Sequence, residues 1–182
     1  DVMLPLDRLA ETGEQSAEYD WGVFSEGTIA VAGDWALDAE LPDDMWDIYE
    51  VNEEGTGLGI EYDTDDFFMY IVTDGYTGED IKLDEFASDY VLNTLESSFG
   101  NVGVDDYYAE SQTIFINDQE WLCVLAMGEY MGFEIEDWFL MTVSSDGAAA
   151  AMVNFTILAY SEEGIDMADD LFYNVVSTMY FY

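Results

Sequence analysis

The sequence predicts an α+β fold, in which an antiparallel β-sheet meander is flanked by two main helices. Short apolar stretches separated by turn residues fill residues 20–73 and 107–160, a pattern typical of antiparallel strands. Residues 83–99, and those from 165 onward, repeat apolar side chains every three or four positions, as amphipathic helices do. Half of the 182 residues are hydrophobic and 16% are aromatic, so we expect a folded chain with a buried core.

The N-terminal 18 residues show no periodicity and are rich in acids, so we predict a tail or linker over 1–18 and a single α+β domain over 19–182. The chain begins at Asp1 without a methionine or an apolar leader, and we interpret it as processed or trimmed. A removed segment is where an export signal or lipid anchor would lie. No apolar run approaches the roughly 20 residues of a membrane-spanning helix.

The first half of the domain predicts short strands at 20–24, 28–32, 45–52, 57–63 and 66–73. Glycine, proline and aspartate between these stretches mark the turns, and a β-meander is the natural assembly. Within residues 67–72 both alternating faces are apolar. This strand is therefore expected at the centre of a layered fold, covered on both sides.

The first helix is predicted over 83–99, with Asp84 and Glu85 in its first turn, where acids interact favourably with the helix dipole. The second half predicts strands at 107–116, 120–127, 134–143 and 148–160, a turn at 117–119, and a final amphipathic helix from about residue 165. In the last strand one face is wholly apolar and the other partly so. The first face carries Val153, Phe155, Ile157 and Ala159, and the second carries Met152, Asn154, Thr156 and Leu158.

The charge of the chain is almost entirely negative. It has 42 acidic and 2 basic residues, no histidine and a net charge of −40. Capture of nucleic acids, phosphorylated ligands or anionic lipids needs clustered cationic side chains, so we exclude those functions. The lack of histidine excludes most acid/base and nucleophile-relay catalysis. Crowded carboxylates also raise one another's pKa values in the compact state, so we expect mild acid or added salt to stabilise the fold.

The sequence identifies no catalytic, cofactor-binding or metal-binding residue, and its ligand-binding residues stay unknown. Among 42 acids, close carboxylate pairs arise by chance, and the signatures of aspartic proteases, serine hydrolases and phosphate-binding loops are absent. The strongest metal candidate is the oxygen cluster of Asp63, Asp65 and Asp66. It lacks the glycine and glutamate of a calcium loop, so we interpret it as a solvated turn between two strands.

Other residues also have structural interpretations. Cys123 is flanked by apolar residues and is expected to be a buried thiol without redox function. Asn154 begins a glycosylation sequon, which we discount because it lies within a predicted strand. Six aromatic residues are candidates for a partner surface, although core packing explains most of them. They are Trp35, Trp46, Tyr49, Tyr107, Tyr108 and Tyr130.

Four segments carry a resemblance to a known family. Residues 29–35 (IAVAGDW) form a strand that ends in a Gly and Trp turn, 83–95 a helix after the first meander, 116–121 (INDQEW) a hairpin turn, and 171–181 a terminal helix with final apolar residues. In this order the chain resembles the PsbP-like superfamily of α/β/α sandwiches, which includes bacterial lipoproteins of the DcrB type. The family shares no catalytic residues, and its members act mostly as accessory, chaperone-like or envelope-associated binding proteins. The resemblance therefore implies binding without enzymatic activity or a cofactor, and it names no site.

Two hypotheses of function follow. The first is a non-enzymatic extracytoplasmic domain, lipid-anchored by a removed N-terminal segment, that binds a protein or small ligand. The second is an acidic nucleic-acid mimic or inhibitor that occupies a basic cleft on a partner. A third interpretation, in which the acidity only solvates the protein in a salty environment, fits the high apolar content poorly. Acids spread over every face would argue against the mimic, whereas a single acidic stripe would favour it.

Overall fold

The structure is a computed structural model that describes residues 27–42, 47–88 and 108–182. Strands account for 57% of these residues and form two antiparallel sheets. The strands are β1 (Thr28–Ala32), β2 (Trp35–Asp38), β3 (Asp47–Val51), β4 (Leu58–Asp63), β5 (Phe67–Thr77), β6 (Tyr108–Ile116), β7 (Gln119–Tyr130), β8 (Phe133–Val143), β9 (Ala149–Ala159) and β10 (Tyr180–Phe181).

The larger sheet has seven strands in the order β3-β4-β5-β9-β8-β7-β6. It consists of two runs of hairpins, β3 to β5 and β6 to β9, which join where β5 pairs with β9 over eleven residues. The β6–β7 hairpin turns at Asn117 and Asp118, both of which have positive φ angles. Such a pair suits the two-residue turns whose twist matches that of the flanking strands.

The smaller sheet has the order β1-β2-β10. Its strand β1 meets β5 of the larger sheet and also pairs with Gly57, just before β4, through Ala30. The Thr73 hydroxyl donates to the carbonyl oxygen of Ile29 and accepts from the amide of Leu58 at 2.8 Å. Gly75 makes the close approach possible, because a Cβ atom there would lie 1.9 Å from the carbonyl oxygen of Val31. The two backbones touch at a position that only glycine allows.

Two small helices complete the described part of the chain. The first, α1, is described over residues 83–88. The second, α2 (Glu162–Val176), begins after Ser161, whose hydroxyl accepts a hydrogen bond from the amide of Gly164 at 3.0 Å. This N-cap satisfies a free amide of the first turn. The apolar stripe of α2 then packs on the larger sheet, where Phe172 contacts the rings of Phe155 and Trp138.

The larger sheet buries apolar side chains on both faces. One face, with Met69, Val153 and Phe155 among its residues, is covered by the smaller sheet and α2. The opposite face includes Phe68 and Met152, and α1 packs against it through Leu83, Phe86 and Ala87. The predicted division of the last strand into a wholly apolar and a partly apolar face is confirmed, as is the double burial around β5.

The predicted fold class is wrong. We expected an α+β sandwich with a meander between two main helices, but the chain is mostly β, with two small helices and a second sheet. β2 and β10 were not predicted, because they have four and two residues and are too short to show an alternating pattern. Together with β1 they cover part of the face that we had assigned to a helix.

Individual strands and helices were predicted more accurately than the fold class. β1 matches the strand predicted at 28–32, and α1 begins at residue 83 as expected. The final helix begins three residues before position 165, because Ser161 supplies its cap. The strand predicted at 20–24, the tail over 1–18 and helix residues 89–99 lie outside the described residues. The single domain over 19–182 stays a prediction.

Candidate functional site

A shallow cleft lies between α2 and the paired strands β8 and β9. Its lining combines three acids with three apolar residues: Glu134, Glu136, Ile157, Ala159, Ile165 and Asp169. The cleft is open to solvent and offers only about 10 Å³ of room to a water-sized molecule. Strand register places the two glutamates there, since Glu134 is opposite Ala159 and Glu136 is opposite Ile157 on the face that α2 covers.

Two of the three cleft acids, Glu136 and Asp169, are partly withdrawn from water, and both are close enough to Glu134 to be affected by its charge. Burial raises the pKa of Glu136, and the Trp138 indole offsets part of this effect by donating a hydrogen bond to its carboxylate at 2.9 Å. Burial also raises the pKa of Asp169, and the negative charges of Asp166, Glu134 and Asp170 raise it further. Glu136 and Asp169 therefore hold their charges less readily than isolated carboxylates do, and a nearby cation would stabilise their ionised forms.

The size of the cleft limits what it can hold. A cavity needs roughly 10–15 Å³ of such room to hold one water molecule, so the cleft has room for about one water and not for a whole ligand. A cationic group is the chemical match for three carboxylates beside an indole ring.

A second polar group lies on the opposite face of the larger sheet. Asp137 on β8 is buried, with 2% of its surface exposed, and accepts hydrogen bonds from Thr156 at 2.5 Å and Asn154 at 3.5 Å. Burial raises its pKa from 3.8 to about 6, although both hydrogen bonds act in the opposite direction. Because both partners are neutral, Asp137 carries a charge near neutral pH at a cost in stability.

The metal candidates from the sequence form a turn between β4 and β5. Asp63 ends β4, while Asp65 and Asp66 lie in the connection, where the carbonyl oxygen of Asp66 accepts from the amide of Tyr160 at 2.9 Å. Within 27–42, 47–88 and 108–182, no three His, Cys, Asp or Glu side chains are arranged to hold a metal ion. The interpretation of this segment as a turn is confirmed.

The structure describes the side chains of two of the six candidate aromatic residues, and these two pack in different places. Trp35 packs on the core, with its ring 5.2 Å from that of Phe181, and Tyr130 packs partly buried on the other face. Trp46 and Tyr107 lie outside the described residues, and the side chains of Tyr49 and Tyr108 are likewise outside the description.

Cys123 and Asn154 are both buried. The Cys123 thiol is buried, as expected, and burial raises its pKa to about 11. Asn154 is buried within β9, where its side chain donates to Asp137 and to the carbonyl oxygen of Trp138. A sugar attached there would have no room.

The sequence singled out neither Glu136 nor Asp137. Glu136 and Asp137 are neighbours on β8, and one reaches the cleft while the other is buried on the opposite face. The available signal was the strand-like alternation of residues 134–143, which assigns consecutive acids to opposite faces. The sequence does not show which face would be covered, so it could not separate these two acids from the other 40.

The comparisons with known proteins show a fold without showing a family. No family model and no curated protein matches the chain. Among solved structures, it is similar to LpqN, described as involved in cell envelope biogenesis of Mycobacterium tuberculosis. The TM-score is 0.52 at 13% identity, over 84% of this chain and 88% of LpqN. A protein from Bacteroides thetaiotaomicron gives a TM-score of 0.38 at 13% identity, over 85% of this chain and 48% of the other. The resemblance to the PsbP-like superfamily is not confirmed by these matches.

None of the helices in the described ranges has the length and apolar character needed to cross a bilayer.

Proposed function

We propose that this chain is a non-enzymatic accessory domain of the cell envelope, carried there by a lipid anchor, and that it acts by binding a partner protein. The observation that carries the proposal is the similarity in fold to LpqN, which extends over most of both chains. The words that describe LpqN place it in envelope biogenesis, and the sequence resemblance to DcrB-type lipoproteins points to the same location.

The chemistry of the chain supports binding over catalysis. It has no histidine to relay protons, and its one thiol is buried with a pKa raised to about 11, which keeps it neutral at physiological pH. Two acids of the cleft, Glu136 and Asp169, have raised pKa values, but the space beside them is too small for a substrate. Contact with a macromolecular surface is therefore favoured over capture of a small molecule.

The distribution of acids argues against the alternative, a nucleic-acid mimic. Exposed carboxylates occur at both ends of the larger sheet, at Asp63 and Glu129 on one end and at Glu53, Asp118 and Asp146 on the other. A mimic needs its charges in one row at phosphate spacing, and carboxylates at opposite ends of 11-residue strands lie too far apart to form one. The net charge instead favours a partner with cationic groups on its surface.

Location and partner are tested separately. Fractionation of the native organism with an antibody against the chain should find it in the envelope, and a labelled fatty acid should be incorporated into it. Recovery in the cytosol without fatty acid would contradict the proposed location and anchor.

For the partner, the immobilised chain is used to capture proteins from detergent-solubilised envelope at about 0.15 M salt, where long-range attraction is largely screened. Beads carrying polyglutamate at the same charge density are the control. The proposal predicts a protein that the chain retains, that the control does not, and that captures the chain in the reciprocal experiment. Identical proteins on both kinds of bead would show that charge alone is responsible and would contradict the proposal.

A further inference from the structure

The strand β6 is the last strand at one edge of the seven-stranded sheet. It pairs with β7 through nine consecutive residue pairs, from Tyr108 opposite Met127 to Ile116 opposite Gln119, without a register shift. At about 3.4 Å per residue, this edge is roughly 30 Å long. In an antiparallel pair, alternate residues direct their backbone amide and carbonyl groups away from the partner strand. The outer side of β6 is thus a regular row of backbone hydrogen-bonding groups.

The other sheet edges in the described part of the chain are short or irregular. β3, at the opposite edge of the larger sheet, has five residues and a register shift between Ile48 and Glu50. In the smaller sheet, β10 has two residues, and β1 has a shift between Thr28 and Ala30. Proteins use short strands, bulges, lysines and prolines to prevent unwanted pairing at sheet edges. β6 has no shift, lysine or proline.

The strand β6 is nearly uncharged, and among its described side chains only Ile114, which is half-buried, and Ile116, which is buried, are withdrawn from solvent. Residues 109–113 are all exposed, so neither face of this part of the strand is covered, and Phe115 is 72% exposed. Glu110 is the one charged residue of the nine, in a chain where 24% of residues are charged. Backbone pairing requires that water be removed from the edge, which is easier beside serine, glutamine and threonine than beside carboxylates.

We propose that the β6 edge binds an extended segment of a partner polypeptide, which adds as a further strand to the larger sheet. The segment would be neutral or apolar along its middle and cationic at the end that meets the β6–β7 turn. Asp118 and Glu120 are exposed at that turn, and Glu120 is directly opposite Phe115. This inference rests on the proposed function, since it names where and how the partner binds.

A second copy of the chain fits this edge less well than a cationic partner. Antiparallel pairing of two β6 strands would bring together two bodies that each carry a net charge of −40. At physiological salt, charges repel measurably within about 8 Å, and paired strands lie about 5 Å apart. A lysine or arginine at the end of a partner strand would instead gain attraction from Asp118 and Glu120.

The test uses the whole chain and a synthetic probe, a capped peptide of alternating threonine and valine that ends in lysines. The control peptide has proline in place of each valine, so its charge is the same but it cannot form a strand. Amide hydrogen exchange is followed residue by residue at about 0.15 M salt. The expected result is that exchange slows at least about tenfold at alternate residues of β6 with the probe and does not change with the control. Equal protection by both peptides, or protection outside β6, would overturn the proposal.

Two variants with the same change in charge separate strand pairing from attraction between charges. Thr113→Lys places a cation on the edge, whereas Met167→Lys places one on the exposed surface of α2. We expect Thr113→Lys to weaken probe binding at least about tenfold and Met167→Lys to change it less than about twofold. Equal weakening by both variants would overturn the proposal.

Three further outcomes also decide the matter. Protection of β6 that increases with protein concentration in the absence of peptide would show that a second copy occupies the edge, and the proposal would be wrong. If a captured envelope protein protects a surface other than β6, the proposed function stands and this inference fails. If no envelope protein is captured but the probe protects β6, the edge binds strands and the proposed function fails.

Discussion

Replacement of the buried acid Asp137 by asparagine should change how the stability of the chain depends on pH. The carboxylate lies on β8 between Thr156 and Asn154 and has no cationic partner among the described residues. Asparagine has nearly the same shape and keeps an oxygen that accepts from the Thr156 hydroxyl, but it cannot ionise. The variant Asp137→Asn thus removes the titration and preserves most of the packing.

The magnitude follows from the pKa of this carboxyl group, which burial raises from 3.8 to about 6. The protonated form stabilises the folded state fully below pH 3.8, and that stabilisation is lost as the pH rises through about 6. The loss between about pH 4 and 8 is roughly 2 to 3 kcal/mol. Asparagine adds an amide nitrogen that needs an acceptor, at a cost of about 1–3 kcal/mol that does not depend on pH.

The assay is chemical denaturation of parent and variant between about pH 4 and 8, with the free energy of unfolding as the readout. The free energy of unfolding of the Asp137→Asn variant minus that of the parent should increase by roughly 2 to 3 kcal/mol as the pH rises over this range. The matched variant Asp118→Asn removes one exposed carboxylate at a turn where asparagine suits the positive φ angle, and its difference should be much flatter. If the difference between Asp137→Asn and the parent stayed constant with pH, the conclusion that burial raises the pKa of Asp137 would be refuted.

Three other predictions concern the core, the thiol and the total charge. Gly75→Ala should lower the free energy of unfolding by about 3 kcal/mol or more, because its Cβ atom would overlap the carbonyl oxygen of Val31. The control is Gly55→Ala, where no atom lies within 4 Å of the added Cβ and only the positive φ angle is unfavourable. In the same denaturation assay this control should cost about 1–2 kcal/mol. Cys123 should react with a thiol reagent at about pH 8 no faster than the chain unfolds, since the thiol is buried with a pKa raised to about 11; complete labelling within seconds would contradict this. Raising NaCl to about 0.5 M, or lowering the pH to about 5, should raise the melting temperature measured by circular dichroism, and a flat or falling trend would contradict self-repulsion among the 42 acids.

The sequence predicts individual strands of this fold well, because their local patterns are strong. The strand predicted at 134–143 lies within β8, and the two faces of β9 separate as the alternation indicated. These strands are long, and their burial on both faces fills them with apolar side chains. Nine or more residues of consistent pattern outweigh local ambiguity.

The second sheet could not be predicted because its formation depends on contacts between distant segments. β10 is a strand only because Tyr180 and Phe181 pair with Asp38 and Leu37, more than 140 residues earlier in the chain. Likewise, the sequence reveals that residue 75 is glycine but not that the backbone of β1 crosses it. The cleft beside α2 depends on the same packing, so its acids could not be distinguished in the sequence.

The positions of the acids help to explain how so highly charged a chain can have a nearly uncharged edge strand, β6. Most strands of the larger sheet bury residues on both faces, so few of their positions accept a carboxylate, and exposed acids concentrate at turns such as those near Glu53, Asp65 and Asp146. Charge at the turns acts over the Debye length and guides a cationic partner, whereas backbone pairing at β6 acts only on contact. Attraction and specificity are thus assigned to different parts of the molecule. Salt should therefore slow the association of a cationic strand with the chain more than it speeds its dissociation.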